Sequence, residues 1–331
     1  MIPCLPSEKL FPWGDTCRYN SLARRIKELY GGRIQKVSVN GGFTCPNRDG
    51  TLGYGGCIYC AGASFVPSYC FVKKDIRAQI DEGIEFHKWR YRRAGKYMAY
   101  FQAFSNTYAP VMKLEKIYSD ALSHPLISGL VISTRPDCVD QEVLDMISGI
   151  HQNFPVFIEL GIESCYDKTL DLINRKHNFE QSVSAIQRIA GVGIPVTGHL
   201  IFGLPGESYN EMIREASIIS SLPLTAVKFH QLQVLKNTDV SRLFITHPEL
   251  FHTFTLESYI DFIVDFLERL DPGIAVERLA AEVPPRYEVL NSLGNFRTDI
   301  LYKKTESVME IRKTCQGNKL KKPIKIPSTN N

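Results

Sequence analysis

Six short runs dense in Val, Ile, Phe and Tyr punctuate the chain, at 36–39, 97–102, 129–133, 156–160, 196–202 and 226–234. Gly, Pro or polar residues bound each one. Their apolar residues fall on consecutive positions, the pattern of parallel strands buried on both faces. Helical stripes separate them. Ile76, Ile80, Ile84 and His87 share one face, as do Val111, Leu114, Ile117 (or Tyr118) and Ala121. Val143, Leu144, Ile147 and Ile150 form a third stripe, and Val183, Ile186 and Ile189 a fourth. Pro110 and Asp140 suit helix starts, and Gly191 suits a helix stop. This strand–helix rhythm dictates an α/β chain with a parallel sheet. Six units fall short of a closed eight-stranded barrel, so the expected architecture is a partial, curved (β/α)6 TIM-like barrel.

The barrel core is expected over 31–235. A short helical lead-in occupies 1–30, with Leu22, Ile26 and Leu29 on one face. After Lys236 the rhythm stops, and 236–311 reads as a C-terminal extension packing on the barrel. Its helix, from 255 to 270, turns Ile260, Ile263, Val264 and Leu267 inward. Residues 312–331 carry Arg312, Lys313, Lys319, Lys321, Lys322 and Lys325 without an acid, which reads as a basic mobile tail.

With 44% hydrophobic and 22% charged residues in 331, the chain is neither disordered, collagen-like nor a coiled coil. A net charge of +4 permits an anionic partner without requiring one. No apolar run reaches the ~20 residues that span a bilayer. The start, Met1-Ile2-Pro3-Cys4-Leu5-Pro6, lacks a signal-peptide pattern, so a cytoplasmic location without membrane contact is expected. Nine unevenly spaced cysteines in such a chain serve metals or chemistry more often than disulfides.

Three of those cysteines follow the first strand as C-x11-C-x2-C: Cys45, Cys57 and Cys60. Glycines at 41, 42, 50, 53, 55, 56 and 62 let this loop fold tightly around something. Structural zinc takes four ligands, so a zinc site would be closed by Cys70, Cys17 or a histidine. Three thiolates can instead hold a [4Fe-4S] cluster by three irons, leaving the fourth for the amine and carboxylate of a small molecule. Spacing alone leaves open both readings, and also unligated thiols.

Here the sequence resembles the radical S-adenosylmethionine (radical SAM) superfamily, and within it the YhcC/YtqA-like group, relatives of the Elongator-Elp-three proteins. The resemblance spans roughly 15–270. It rests on GGFTCPNRDG at 41–50, YFQAFSNTY at 100–108, TRPD at 134–137, ELGIES at 159–164 and GLPGE at 203–207. Two departures accompany it. The loop is longer than the superfamily's common C-x3-C-x2-C, and ERLAAE at 277–282 replaces an expected Arg-Leu-Thr-Gly-Asp run.

The resemblance implies a [4Fe-4S] cluster on Cys45, Cys57 and Cys60, S-adenosyl-L-methionine beside it, and an electron donor such as flavodoxin or ferredoxin. It implies reductive cleavage of SAM to a 5′-deoxyadenosyl radical that abstracts a substrate hydrogen. Tyr59 would lie near the adenine. Gln102, Ser105 and Asn106 would meet the methionine amine and carboxylate, and Arg135 the carboxylate. Glu163, with Glu159 second, would accept from the ribose or the amine. Gly203, Leu204 and Pro205 would read adenine. His199 and His230 are read as core histidines without a catalytic role.

Lys88, Arg90, Arg92, Arg93 and Lys96, interleaved with Trp89 and Tyr91 and free of acids, suit a nucleic-acid backbone and base stacking. A solvated helix end reads equally well from the residues alone. The YtqA-like resemblance implies a tRNA substrate at the wobble uridine, converting 5-carboxymethylaminomethyluridine to the 5-aminomethyl form. The alternatives are a radical SAM enzyme acting on a small metabolite or protein side chain, and a non-catalytic iron–sulfur or zinc RNA-binding protein.

Overall fold

The computed structural model describes residues 10–62, 66–88, 94–282, 287–294 and 297–320. After a helix α1 (Leu22–Leu29) come β1 (Arg33–Val39), α2 (Ile76–Lys88), β2 (Ala94–Phe101), α3 (Val111–Leu122), β3 (Ile127–Thr134), α4 (Gln141–His151) and β4 (Val156–Glu163). There follow α5 (Asp167–Leu172), α6 (Phe179–Gly191), β5 (Val196–Phe202), α7 (Tyr209–Ile219) and β6 (Ala226–Gln231). The chain then forms α8 (Asp239–Thr246), α9 (Leu256–Leu267), β7 (Ala275–Arg278) and α10 (Thr298–Ile311).

Among the described residues the strands form one sheet in sequence order, β1 to β7, each pair parallel. The six expected strands are all present. The seventh, β7, is a correction to the six-unit reading and to the boundary at 235: the extension completes the sheet rather than merely packing on it.

The sheet curls into a half-barrel. Lys36 Nζ on β1 lies 2.6 Å from Glu277 Oε1 on β7, although five strands separate them in the sheet order. The lead-in closes on the β7 edge. Ser21 bridges Val276 in parallel fashion, and Val276 N donates to Asn20 O at 2.7 Å. Leu22 packs with Ala226 and Ala275, with Ile26 against them, whereas Leu29, expected on the same face, is exposed.

Helices form where the stripes predict. Asp140 caps α4 by accepting from Val143 N, and Pro110 precedes α3. Tyr118 rather than Ile117 is the buried member of the α3 stripe. Gly191 is the last residue of α6 rather than its stop; the chain turns at Gly193, which adopts φ +80°. Helix α9 buries Ile260, Ile263, Val264 and Leu267 as expected. It also adds Phe262 and Phe266 to a fully buried aromatic cluster with Phe202 and Phe229. Each such ring is worth ~1.5–3 kcal/mol when fully buried.

Residues 312–320 do not behave as a mobile tail. Arg312 pairs with Asp261 and Asp265, Lys319 pairs with Glu268, and Gln316 is buried against Asn20, Asp271 and Ile274. The acids that hold this segment lie on or beside α9, far away in sequence. The rest of the expected tail, 321–331, lies outside the described residues. No helix among the described residues is long and apolar enough to cross a membrane.

Candidate active site: a thiol-lined cavity over a buried ion network

The loop after β1 is held by its own turns and by the segment after α5. Arg48 N and Asp49 N donate to Cys45 O, and Cys60 N donates to Cys57 O. Asn174 Nδ2 donates to Gly56 O, Ile58 N to Ile173 O, and Asn47 Nδ2 to Asn174 O at 2.6 Å. From the other side, Val240 N at the start of α8 donates to Ile58 O. Cys45, Cys57 and Cys60 thereby line one cavity of about 470 Å³ at the carboxyl ends of the strands.

Nitrogen donors face the sulfurs. Asn47 Nδ2 lies 3.7 Å and Arg175 Nη1 3.6 Å from Cys57 Sγ, and Arg48 Nη1 lies 3.7 Å from Cys60 Sγ. Burial pushes the Cys60 thiol above its ordinary value, while the Gly62 backbone N–H and Arg48 pull it back.

The donor set fits a cluster better than a single zinc. Among the described residues no three Cys, His, Asp or Glu side chains converge as one metal ion needs. Cys70, a candidate fourth ligand, donates instead to Ser38 O at 3.1 Å, and Cys17 lies beside Tyr19 and Glu306. Thiolates on separate irons of a cluster need only line a common wall, as these three do.

The cavity also receives Tyr59, Gln102, Ser105, Arg135, Glu159 and Glu163. Tyr59 packs against the cluster of Ile201, Leu204 and Leu232, and burial with the neighbouring Cys57 raises its phenol. Gln102 Nε2 donates to Ser38 Oγ. Arg135 grips Asp137 with Nε and Nη2, both at 2.8 Å, and leaves Nη1 buried without a protein partner.

Glu163 is brought in by a break in β4. The register shifts between Gly161 and Glu163, and Glu163 adopts φ +69°, a strained value for this residue. Arg175 spans the break, donating to Gly161 O at 2.7 Å and lying 3.2 Å from Glu163 Oε1. A Cβ on Gly161 would lie 2.5 Å from Glu163 Oε1 and 2.6 Å from Arg175 Nη2, so a side chain there would have to displace both charged ends.

Asn106, Gly203, Leu204 and Pro205 do not line the cavity. Asn106 Nδ2 donates to Ser133 O, with Oδ1 buried and unpartnered. Gly203 turns with φ +86° and donates to Met212 Sδ, and Leu204 is fully buried behind Tyr59.

Glu159 departs most from expectation. Its Oε1 accepts from Lys36 at 2.5 Å; its Oε2 accepts from Tyr100 and His199 at 2.8 Å, Lys228 at 2.9 Å and Ser133 at 3.0 Å. Both oxygens accept from protein donors, four of the five bonds falling on Oε2. Burial opposes its charge, yet Lys228, Lys36 and His199 hold the carboxyl well below the usual range. Glu277 joins the network through Lys36 and through Lys228 at 3.2 Å. His199 and His230, read as core histidines, line the cavity, and burial lowers both.

Lys36, Tyr100, Arg175, Lys228 and Arg278 were not singled out from sequence. A lysine inside an apolar strand, as in Ala226-Val227-Lys228-Phe229, was the signal available.

Of the basic patch, Arg90, Arg92 and Arg93 lie outside the described residues. Lys88 is exposed and 3.1 Å from Glu85, and Lys96 is exposed.

The family model of the radical SAM superfamily matches residues 41–217, and that of the Radical_SAM C-terminal domain matches 224–300. The chain is 34% identical over 277 residues to YtqA of Bacillus subtilis, covering 83% of this chain and 84% of that protein. It is 36% identical over 296 residues to MJ0486 of Methanocaldococcus jannaschii, covering 88% and 89%. A tRNA uridine(34) acetyltransferase of Methanocaldococcus infernus is 26% identical over 162 residues, 47% of this chain and 28% of that one. The solved Elp3 of M. infernus superposes with a TM-score of 0.62 at 17% identity, covering 86% of this chain and 64% of that chain.

Proposed function

The chain belongs to the radical SAM superfamily, and from that premise we propose that it is a tRNA-modifying radical SAM enzyme acting on the wobble uridine. The conversion is of the 5-carboxymethylaminomethyl to 5-aminomethyl type. Cys45, Cys57 and Cys60 would hold a [4Fe-4S] cluster, which when bound would supply the one-electron chemistry for cleaving S-adenosylmethionine to a hydrogen-abstracting 5′-deoxyadenosyl radical. An electron donor such as flavodoxin or ferredoxin would deliver that electron.

The observation that carries the reading is the cavity itself: three thiols with N–H donors aimed at their sulfurs, above polar side chains with unmet hydrogen-bonding capacity. Asn47, Arg48 and Arg175 offset thiolate charge. The free Arg135 Nη1 offers a donor to a carboxylate, and Glu163 an acceptor to hydroxyl or ammonium groups. Tyr59 offers an aromatic face backed by Leu204 and Ile201. Support for tRNA comes from the 26% identity over 162 residues, 47% of this chain, to a tRNA uridine(34) acetyltransferase.

The test is anaerobic reconstitution with iron and sulfide, reduction, addition of SAM, and mass spectrometry for 5′-deoxyadenosine. Production is expected in the wild type and should vanish in Cys57→Ala. Nucleoside analysis of tRNA incubated with the enzyme should then show 5-carboxymethylaminomethyluridine falling and 5-aminomethyluridine rising. Zinc in place of iron, or unchanged tRNA beside active SAM cleavage, would overturn the first or second half of the proposal.

A further inference from the structure

The charges lining the cavity do not cancel. Lys36 and Lys228 are matched by Glu159 and Glu277, and Arg175 and Arg135 by Glu163 and Asp137. Arg278, at the end of β7, lines the same cavity and has no ion pair among the described residues. Its Nη2 lies 2.9 and 2.8 Å from the two ring nitrogens of His230, of which only an unprotonated one can accept. Its Nε is buried and has no hydrogen-bond partner among the described residues. His230 is held neutral by burial and by Arg278 itself, so it orients the guanidinium without balancing it. Glu282, the remaining acid at this wall, is taken by the backbone and hydroxyl of Thr298. The neighbouring amides are spent as well: Gln231 and Gln233 both donate to Ala281 O.

A half-buried guanidinium with its Nε–H shielded from water and no acid partner among the described residues is favourably completed by an anion. We propose that Arg278, positioned by His230, is the subsite for a carboxylate of the substrate. Among the described residues Arg48 and Arg278 are the cavity guanidinium groups without an acid partner; Arg48 faces Cys60 Sγ at 3.7 Å, which leaves Arg278 to meet a monoanion such as a carboxylate. A guanidinium edge is the side-chain group best matched to a carboxylate in geometry. The subsite deepens the wobble-uridine reading, on which its identification with a carboxymethyl side chain rests.

The experiment is an NMR titration of anaerobically reconstituted protein with 13C-acetate, in the absence and presence of saturating SAM. Acetate is expected to bind with SAM present, to lose at least tenfold in affinity in Arg278→Gln, and to keep part of it in Arg278→Lys. Far-ultraviolet circular dichroism establishes that both variants fold. Acetate binding that persists in a folded Arg278→Gln, that SAM abolishes, or that inorganic phosphate outcompetes at equal concentration would each overturn the assignment. A parallel titration compares 5-carboxymethylaminomethyluridine with 5-aminomethyluridine. A preference for the former that Arg278→Gln erases supports both readings. Arg278-dependent acetate binding without that preference keeps the subsite and overturns the uridine.

Discussion

At the scale of single residues, the barrel floor is an ion network that a sequence reading sees only in fragments. Lys36, Glu159 and Lys228 each sit mid-strand among apolar neighbours, where an unpaired charge would be prohibitive. Their partners are 123 and 69 positions apart, so the pairing is invisible until the sheet curls. The three cysteines could be grouped in the sequence because their spacing is local; the donors on Glu159 could not, because they come from five other strands. Replacing Glu159 with Gln leaves two buried ammonium groups facing only Glu277. It should cost ~3–5 kcal/mol in urea unfolding at neutral pH, the range for breaking a buried pair. The carboxyl sits well below its ordinary 4.5 in the folded state. Its contribution is therefore complete above pH 4.5 and fades as pH falls through the folded value. The gap between wild type and Glu159→Gln should narrow in acid; a gap that widens there would refute the network's role.

At the scale of elements, six strands and the main helices follow from apolar runs and caps, whereas β7 does not. It has four residues, two of them charged, and Glu277 finds Lys36 only 241 positions away. Helix α7 shows how a local signal reaches the site. Ser208 accepts from Glu211 N, Glu211 Oε2 accepts from Ser208 N at 2.8 Å, and the helix so started places Met212 Sδ under Gly203 N. A Cβ at Gly203 would press His252 O at 3.0 Å, so this turn depends on both glycine and helix. Ser208→Ala should lower stability by ~1 kcal/mol, and Ser208→Gly by only a few tenths, as for other N-caps. Equal losses for the two, measured by chemical denaturation, would mean that the box contributes nothing beyond backbone freedom.

At the scale of the whole molecule, closure of the half-barrel depends on segments from both ends of the chain. Gln316, 2% exposed, is their junction. Its Oε1 accepts from Asn20 N at 2.9 Å, and its Nε2 donates to Asp271 O and Ile274 O, both at 2.8 Å. Asn20 in turn pairs with Val276 of β7, the strand that carries Glu277 and Arg278 into the cavity. One amide side chain thus ties the lead-in, the entry to β7 and the segment after α10, which is why that segment folds despite its basic composition. Gln316→Ala strands Asn20 N and Ile274 O, while Asp271 O keeps Ile274 N as a donor; with ~1–3 kcal/mol for each unmet buried group and partial relief by water, a total loss of ~2–4 kcal/mol is expected. The loss should be local before it is global. Hydrogen exchange should quicken at the amides of Asn20 and Val276 and leave β3 and β4 protected, because those strands are paired on both sides within the sheet. Uniform acceleration across the sheet would mean instead that the barrel opens only as a whole and that Gln316 is one ordinary buried side chain among many.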